Sequence, residues 1–283
     1  MKIMVTGAYG QLGNALKREL ENDKSVETIF TDADTLDITD TAALHRFFDD
    51  NPVDMVINCA AYTAVDRAES DDLKAAAINT GAVGNLGQAA AKHNIKVIHI
   101  STDYVFNGET FRPYEENDEP YPQSIYGRTK LEGEGLLSSF SNKAMIIRTA
   151  WLYSEFGSNF VKTMLRLADE KSEINVVADQ IGTPTYAGDL AHAIHQIIHH
   201  KDWKPGIYHF TNEGVASWYD FTKAIFEFTG KKTKVNPIRT SQYPTPAKRP
   251  LYSVLSKDKI KRTYGLEIPY WRDSLQECLK RLG

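Results

Sequence analysis

A glycine turn set between a strand and a helix near the start of the chain constrains its fold more than any other feature. Gly7-Ala8-Tyr9-Gly10-Gln11-Leu12-Gly13 follows the short apolar run 2–6 and opens a helical pattern over 11–21. Such a turn lets the backbone approach a pyrophosphate and aims the free N–H groups of a helix start at negative charge. A glycine pattern alone has little specificity, and this one gains its weight from the β-α-β rhythm around it.

That rhythm is regular in the first half. Apolar runs at 2–6, 26–30, 54–58, 96–100 and 144–148 read as buried parallel strands, and the stretches 11–21, 41–50, 71–94 and 126–140 between them read as helices. The fold class predicted is α/β: a Rossmann-type doubly wound parallel sheet over residues 1–150 that binds a dinucleotide, followed over 151–283 by a smaller α/β substrate-binding lid. Within the lid, 159–170, 187–200 and 218–230 read as helices and 173–177 and 206–210 as strands, some of them expected to return to the large sheet.

Composition removes several other classes. With 42% apolar and 25% charged residues the chain matches ordinary globular proteins, and no run approaches the roughly 18–20 apolar residues of a membrane helix. A formal net charge of −4 offers no general attraction to nucleic acid. Met1 to Gly7 runs straight into a strand pattern with no cleavage-site signature, so no secretory leader is expected. Two cysteines, Cys59 and Cys278, without Cys-x-x-Cys spacing fit a reducing cytosol, and a cytoplasmic location is expected.

Candidate site residues gather where strands end. Asp32, about twenty residues beyond the glycine turn, is placed to accept hydrogen bonds from an adenosine ribose. Carboxylate there favours NADH, while Lys17 or Arg18 nearby could accommodate a 2′-phosphate, so NADH and NADPH both stay open. Asp37 and Ile38 continue that edge, and Ala61, Tyr62 and Thr63 follow the third strand beside the same crevice. Tyr126 and Lys130 lie four apart on one helix face, where an ammonium can bring a phenol toward a useful acid range. Thr102, just past the fourth strand, supplies a hydroxyl for a substrate carbonyl, so that Thr102, Tyr126 and Lys130 together predict carbonyl reduction by hydride from a nicotinamide.

With these motifs, and with Leu36-Asp37-Ile38-Thr39-Asp40, Asn58 to Asp66, Ser101 to Phe106, Gly182-Thr183-Pro184-Thr185 and Arg249-Pro250, the chain resembles the extended short-chain dehydrogenase/reductases, and within them the dTDP-4-dehydrorhamnose reductases, nearly end to end. The resemblance implies that Gly10, Gln11, Leu12, Asp32, Asp37, Ile38, Ala61, Tyr62, Thr63, Tyr126 and Lys130 contact the cofactor, and that Thr102, Asp103 and Trp151 meet a sugar nucleotide. It also implies reduction of the C4 ketone of dTDP-4-dehydro-β-L-rhamnose with NADPH or NADH, Tyr126 giving the proton. Some members dimerise through Mg²⁺ held by glutamates, one of them at the position of Ala15, so a Mg²⁺ bridge is doubtful here and a monomer or weak homodimer is expected. Asp189, near another such position, reads as a helix-start acid.

Three further signals were open on residues alone. His192, His195, His199 and His200 lie close together at partly helical spacing, but no acid or cysteine completes a convincing metal set, so they read as a solvated helix face and no metal is expected. Arg249 suits either a diphosphate or a surface ion pair. The rivals to the reductase are a dehydratase or epimerase of the same superfamily and a non-catalytic dinucleotide-binding subunit. Tyr104 stands where dehydratases carry a Glu after the Thr-Asp pair, and intact Thr102, Tyr126 and Lys130 argue against a purely binding role.

Overall fold

The computed structural model describes residues 1–282. Its central sheet has six strands: β1 (Lys2–Thr6), β2 (Glu27–Thr31), β3 (Met55–Asn58), β4 (Lys96–Thr102), β5 (Ala144–Thr149) and β6 (Gly206–His209). All pair in parallel, in the spatial order 2-1-3-4-5-6. Strand order reverses between β1 and β3, and a crevice opens at such a switch point at the carboxyl ends of the strands. β2 starts one residue later than the apolar pattern suggests, because the Val26 N–H is already taken by the Asp23 carbonyl in the preceding turn.

Side chains alternate across the sheet as the two-residue period requires. Ile3, Val5, Ile57, Ile98 and Ile147 pack on one face against α1 (Gln11–Leu20), while Met4, Val56, Val97 and Ile146 pack on the other against α2 (Thr41–Asp50), α3 (Ala82–Lys92) and α4 (Ile125–Phe140). Later elements divide. β6 extends the large sheet, whereas α5 (Phe160–Glu170) joins a separate core with Tyr153, Ile174 and Phe221. α6 (Ala187–Ile198) lies beside α1 in the first core, and α7 (Trp218–Thr229) and α8 (Trp271–Leu282) complete the separate one.

The helix expected over 71–94 is broken. A short helix, Asp72–Ala76, passes into a π turn, Ala77–Gly81, before α3. The wider turn aims the buried Asn79 side chain at a loop: its oxygen accepts the Tyr62 N–H at 2.9 Å, and its amide donates to the Tyr62 carbonyl and the Thr129 hydroxyl. α4 closes on this turn through Gly133, where a Cβ would stand 2.1 Å from the Asn79 carbonyl oxygen. Backbone is on both sides, so Gly133→Ala should cost about 1–3 kcal/mol by forcing the helices apart. Urea unfolding measures it, and an unchanged midpoint would refute the close-approach account.

Candidate active site

The glycine turn is shaped by contact with β3. Gly7 has φ of +63°, and a Cβ on it would lie 2.7 Å from the Ala60 nitrogen, so only glycine lets the turn sit on the loop after β3. Gly10 precedes α1 with no side-chain cap, and no acidic residue occupies the first turn. The N–H groups at Gln11, Leu12 and Gly13 therefore face the crevice with the helix dipole unopposed, which suits a diphosphate. Asp32 lies beside them, one carboxylate oxygen accepting the Tyr9 N–H at 3.0 Å and the other the Ala33 N–H at 2.8 Å. Ile38 is buried, and exposed Asp37 accepts from Thr39. Ala61, Tyr62 and Thr63 follow Ala60 in the loop that Asn79 holds.

A buried hydrogen-bond line joins this turn to Lys130. Asn58 Oδ1 accepts from the Ala60 N–H at 3.2 Å and the Thr6 hydroxyl at 2.6 Å, which turns the Asn58 amide toward His99 Nδ1 at 3.0 Å. His99 Nδ1 must then accept, leaving the proton on Nε2, which faces Lys130 Nζ at 3.3 Å. An ammonium has no lone pair to receive it, so the network favours the neutral amine. Burial acts in the same direction and lowers the Lys130 pKa to about 8, against the supporting charge of Glu134. Lys130 Nζ also donates to the Ile100 carbonyl at 2.7 Å.

Thr102 ends β4 and caps the turn Asp103–Val105, its oxygen accepting the Tyr104 N–H at 3.2 Å. The Thr102 side chain lies near enough to the Tyr126 phenol to oppose the rise of its pKa, while its own hydroxyl is directed to the Asp103 carboxylate at 3.1 Å. The expected lowering of the phenol by Lys130 is absent in this arrangement, because Lys130 is turned to Ile100 and His99; burial instead pushes the Tyr126 pKa up to about 12. The phenol is thus kept protonated, the form a proton donor needs. Asp103 is buried and pushed up to about 6 by desolvation, with the Ser253 and Thr102 hydroxyls opposing the shift.

Arg249 is engaged differently from a free anion receptor. Its guanidinium grips Asp66 in a two-point contact of 3.0 and 2.8 Å, so a diphosphate would have to displace or share that carboxylate. Trp151, with φ of +49°, stacks on Trp218 at 3.5 Å between ring centroids, and together they form an aromatic wall. Gln11 crosses to the later part of the chain, where its side-chain oxygen accepts from Ser154 and Asn159. Sequence reasoning passed over Asn58, His99, Asn79, Asp66 and Ser253. Asn58 lay inside a quoted motif, but nothing local in the sequence marks His99 as the neighbour of Lys130.

A switch-point glycine turn, a strand-end hydroxyl and a Tyr–Lys helix on a parallel sheet define an extended short-chain dehydrogenase/reductase. The family model described as the RmlD substrate binding domain matches residues 1–283, and the chain belongs to that family, the family of the dTDP-4-dehydrorhamnose reductases. A dTDP-4-dehydrorhamnose reductase of Aggregatibacter actinomycetemcomitans is 44% identical over 97% of both chains. A crystal structure of a dTDP-4-dehydrorhamnose reductase from Clostridium acetobutylicum is 46% identical, with a TM-score of 0.96 over 100% of this chain and 99% of that one. A Bacillus anthracis dTDP-4-dehydrorhamnose reductase solved in complex with NADP is 39% identical, with a TM-score of 0.95 over 99% of both chains. No helix among the described residues is long and apolar enough to cross a membrane.

Proposed function

We propose that this chain reduces the C4 ketone of dTDP-4-dehydro-β-L-rhamnose to dTDP-β-L-rhamnose with NADPH or NADH. The observation that carries the reading is the proximity of the Thr102 side chain to the Tyr126 phenol at the end of β4, in a member of this family. A dinucleotide held by its diphosphate at the glycine turn would supply the hydride from its nicotinamide. The uncapped start of α1, the Gly7 cradle and the Asp32 carboxylate fit a dinucleotide, with Ala61, Tyr62 and Thr63 along its path. Thr102 orients the ketone oxygen, Tyr126 donates the proton that the product alcohol keeps, and Lys130 is placed to bind the nicotinamide ribose. Asp103 and the Trp151–Trp218 wall are assigned to the sugar nucleotide, and Arg249 to its diphosphate in exchange for Asp66.

Residues 1–150 carry most of the dinucleotide site and 151–283 mainly the substrate side in this reading, with β6 extending the large sheet and α6 packed on its face beside α1. The residues at hand do not fit a Mg²⁺-bridged dimer. Ala15 is apolar and fully buried, and the Asp189 carboxylate is occupied by Asn212 at 2.6 Å and by Ser274, so a monomer or weak metal-free homodimer is proposed.

The test follows loss of NADPH and NADH absorbance with enzymatically generated dTDP-4-dehydro-L-rhamnose, with the product identified. Formation of dTDP-rhamnose is the expected outcome; tight dinucleotide binding without turnover on this or related sugar ketones would favour a binding subunit. Asp32→Ala should shift the ratio of NADPH to NADH turnover toward NADPH by about tenfold, the worth of roughly 1.4 kcal/mol, since a carboxylate favours the 2′-hydroxyl and opposes a 2′-phosphate. An unchanged ratio would place the adenosine ribose elsewhere.

A further inference from the structure

The histidines of α6 keep the exposure expected of a solvated face, but α1 and the turn after it bring two carboxylates to them. His192, His195 and His199 follow one another at spacings of three and four, hence along one side of the helix. Asp23 Oδ2 lies 2.9 Å from His195 Nε2 and 2.6 Å from His199 Nε2. Glu19 Oε1 lies 3.2 Å from His195 Nδ1 and 2.8 Å from His192 Nδ1. These partners are more than 170 residues apart in sequence, which is why the histidine spacing alone gave no metal set.

His195 has both ring nitrogens against carboxylate oxygens, yet a neutral imidazole carries a single N–H. Without a second ring proton, one of the two contacts sets a nitrogen lone pair against an anionic oxygen. A metal ion on the Nε2 side resolves the conflict. His195 then donates Nδ1–H to Glu19, the carboxylate partner that metal-bound histidines commonly have, and gives its Nε2 lone pair to the ion. The third position is prepared as well: Asp23 Oδ1 accepts from the Ser25 N–H at 2.9 Å and the Ser25 hydroxyl at 2.6 Å, which turns Oδ2 toward the histidines.

We propose that Asp23, His195 and His199 form a divalent transition-metal site, suited to Zn²⁺, with Glu19 orienting His195. The three ligand atoms lie within 4.8 Å of one another. Tetrahedral metal–ligand bonds of about 2.0–2.2 Å set ligand atoms roughly 3.3–3.6 Å apart, so Asp23 Oδ2 would draw back from the two imidazoles by roughly 0.4–1 Å. Two imidazoles and a carboxylate suit Zn²⁺, Co²⁺ or Ni²⁺, and water completes the coordination. The site lies at the far end of α1, about 15 Å along the helix from the glycine turn, so its role is to clamp α1 to α6. It stands independently of the reductase reading, and its residues differ from Ala15 and Asp189.

The test uses the full chain stripped by chelator and dialysed, then titrated with Zn²⁺ alone by calorimetry and followed by thermal unfolding. A single ion per chain and a raised unfolding midpoint are expected, since binding to the folded state alone stabilises it. His199→Ala and Asp23→Asn should abolish stoichiometric uptake, Glu19→Gln should weaken it about 10–100-fold, and His192→Ala should leave it nearly unchanged. With Co²⁺, visible ligand-field bands should appear in wild type and vanish in His199→Ala. No stoichiometric uptake at about 100 μM Zn²⁺, an affinity floor near 5.5 kcal/mol, would overturn the proposal and leave His195 as a hydrogen-bonded bridge between the two carboxylates. Uptake that survives His199→Ala but fails in His192→Ala would overturn it too, by moving the ion to Glu19.

Discussion

Tyr126→Phe should retain the fold and dinucleotide affinity and lose turnover by about 10²–10⁴-fold, the usual worth of a positioned proton donor. The ring packs edge-on against Tyr104 at 5.5 Å, a contact that Phe keeps, and only the hydroxyl near Thr102 is removed. Ketone reduction leaves an alkoxide that must take a proton as hydride arrives, and with the phenol pushed up to about 12 the donor is fully loaded at neutral pH. Single-turnover reduction with saturating NADPH measures the chemical step, and fluorescence titration measures binding. Turnover within a few-fold of wild type would send the proton source elsewhere, with buried Asp103, raised to about 6, the next group to test.

The second large effect concerns stability. Glu134→Gln should destabilise the chain by about 3–5 kcal/mol, because it leaves a buried guanidinium without its counter-charge. Arg148 and Glu134 are 1% and 3% exposed and meet through three contacts of 2.7 to 3.2 Å. Arg148 also lies over the Phe106 ring at 5.1 Å and has no water to retreat to. Replacing both partners, as Glu134→Leu with Arg148→Met, should recover much of the loss, since two well-packed apolar groups avoid the desolvation that one orphaned charge incurs. Urea unfolding of the wild type and the two variants decides the matter; a single variant no less stable than the double would remove the charge argument. Glu134 sits one helical turn beyond Lys130 and supports its charge, so Glu134→Gln should also lower the lysine's affinity for its proton.

What could be read from the residues, and what could not, follows the reach of each interaction. Strands β1, β3, β4 and β5 are continuous apolar runs because helices cover both faces, and the Gly7 turn carries its own conformational signature. Thr102 and Tyr126 were legible because strand end and helix spacing predict positions without knowledge of partners. The break at Asn79 was not, since it is set by the Tyr62 loop and by Gly133, both distant in sequence. The same holds for Asp66 facing Arg249 and for Asp23 facing His195: each residue type was visible, but the pairing is made by the fold. The acidity of Tyr126 was misjudged for a related reason, as helix spacing brings Lys130 near while His99 and Ile100 decide where its amine points.

The return of β6 to the edge of β5 has a consequence for how the chain is made. Until residue 209 has left the ribosome, β5 presents Ala144–Thr149, buried along its whole length in the finished fold, as an unpaired edge. An open apolar edge is a template for pairing with other chains. A nascent or truncated chain ending near Thr149 therefore carries the whole glycine turn and the Tyr–Lys helix yet stays adhesive, and its solubility hangs on a four-residue strand synthesised long after the residues that do the chemistry.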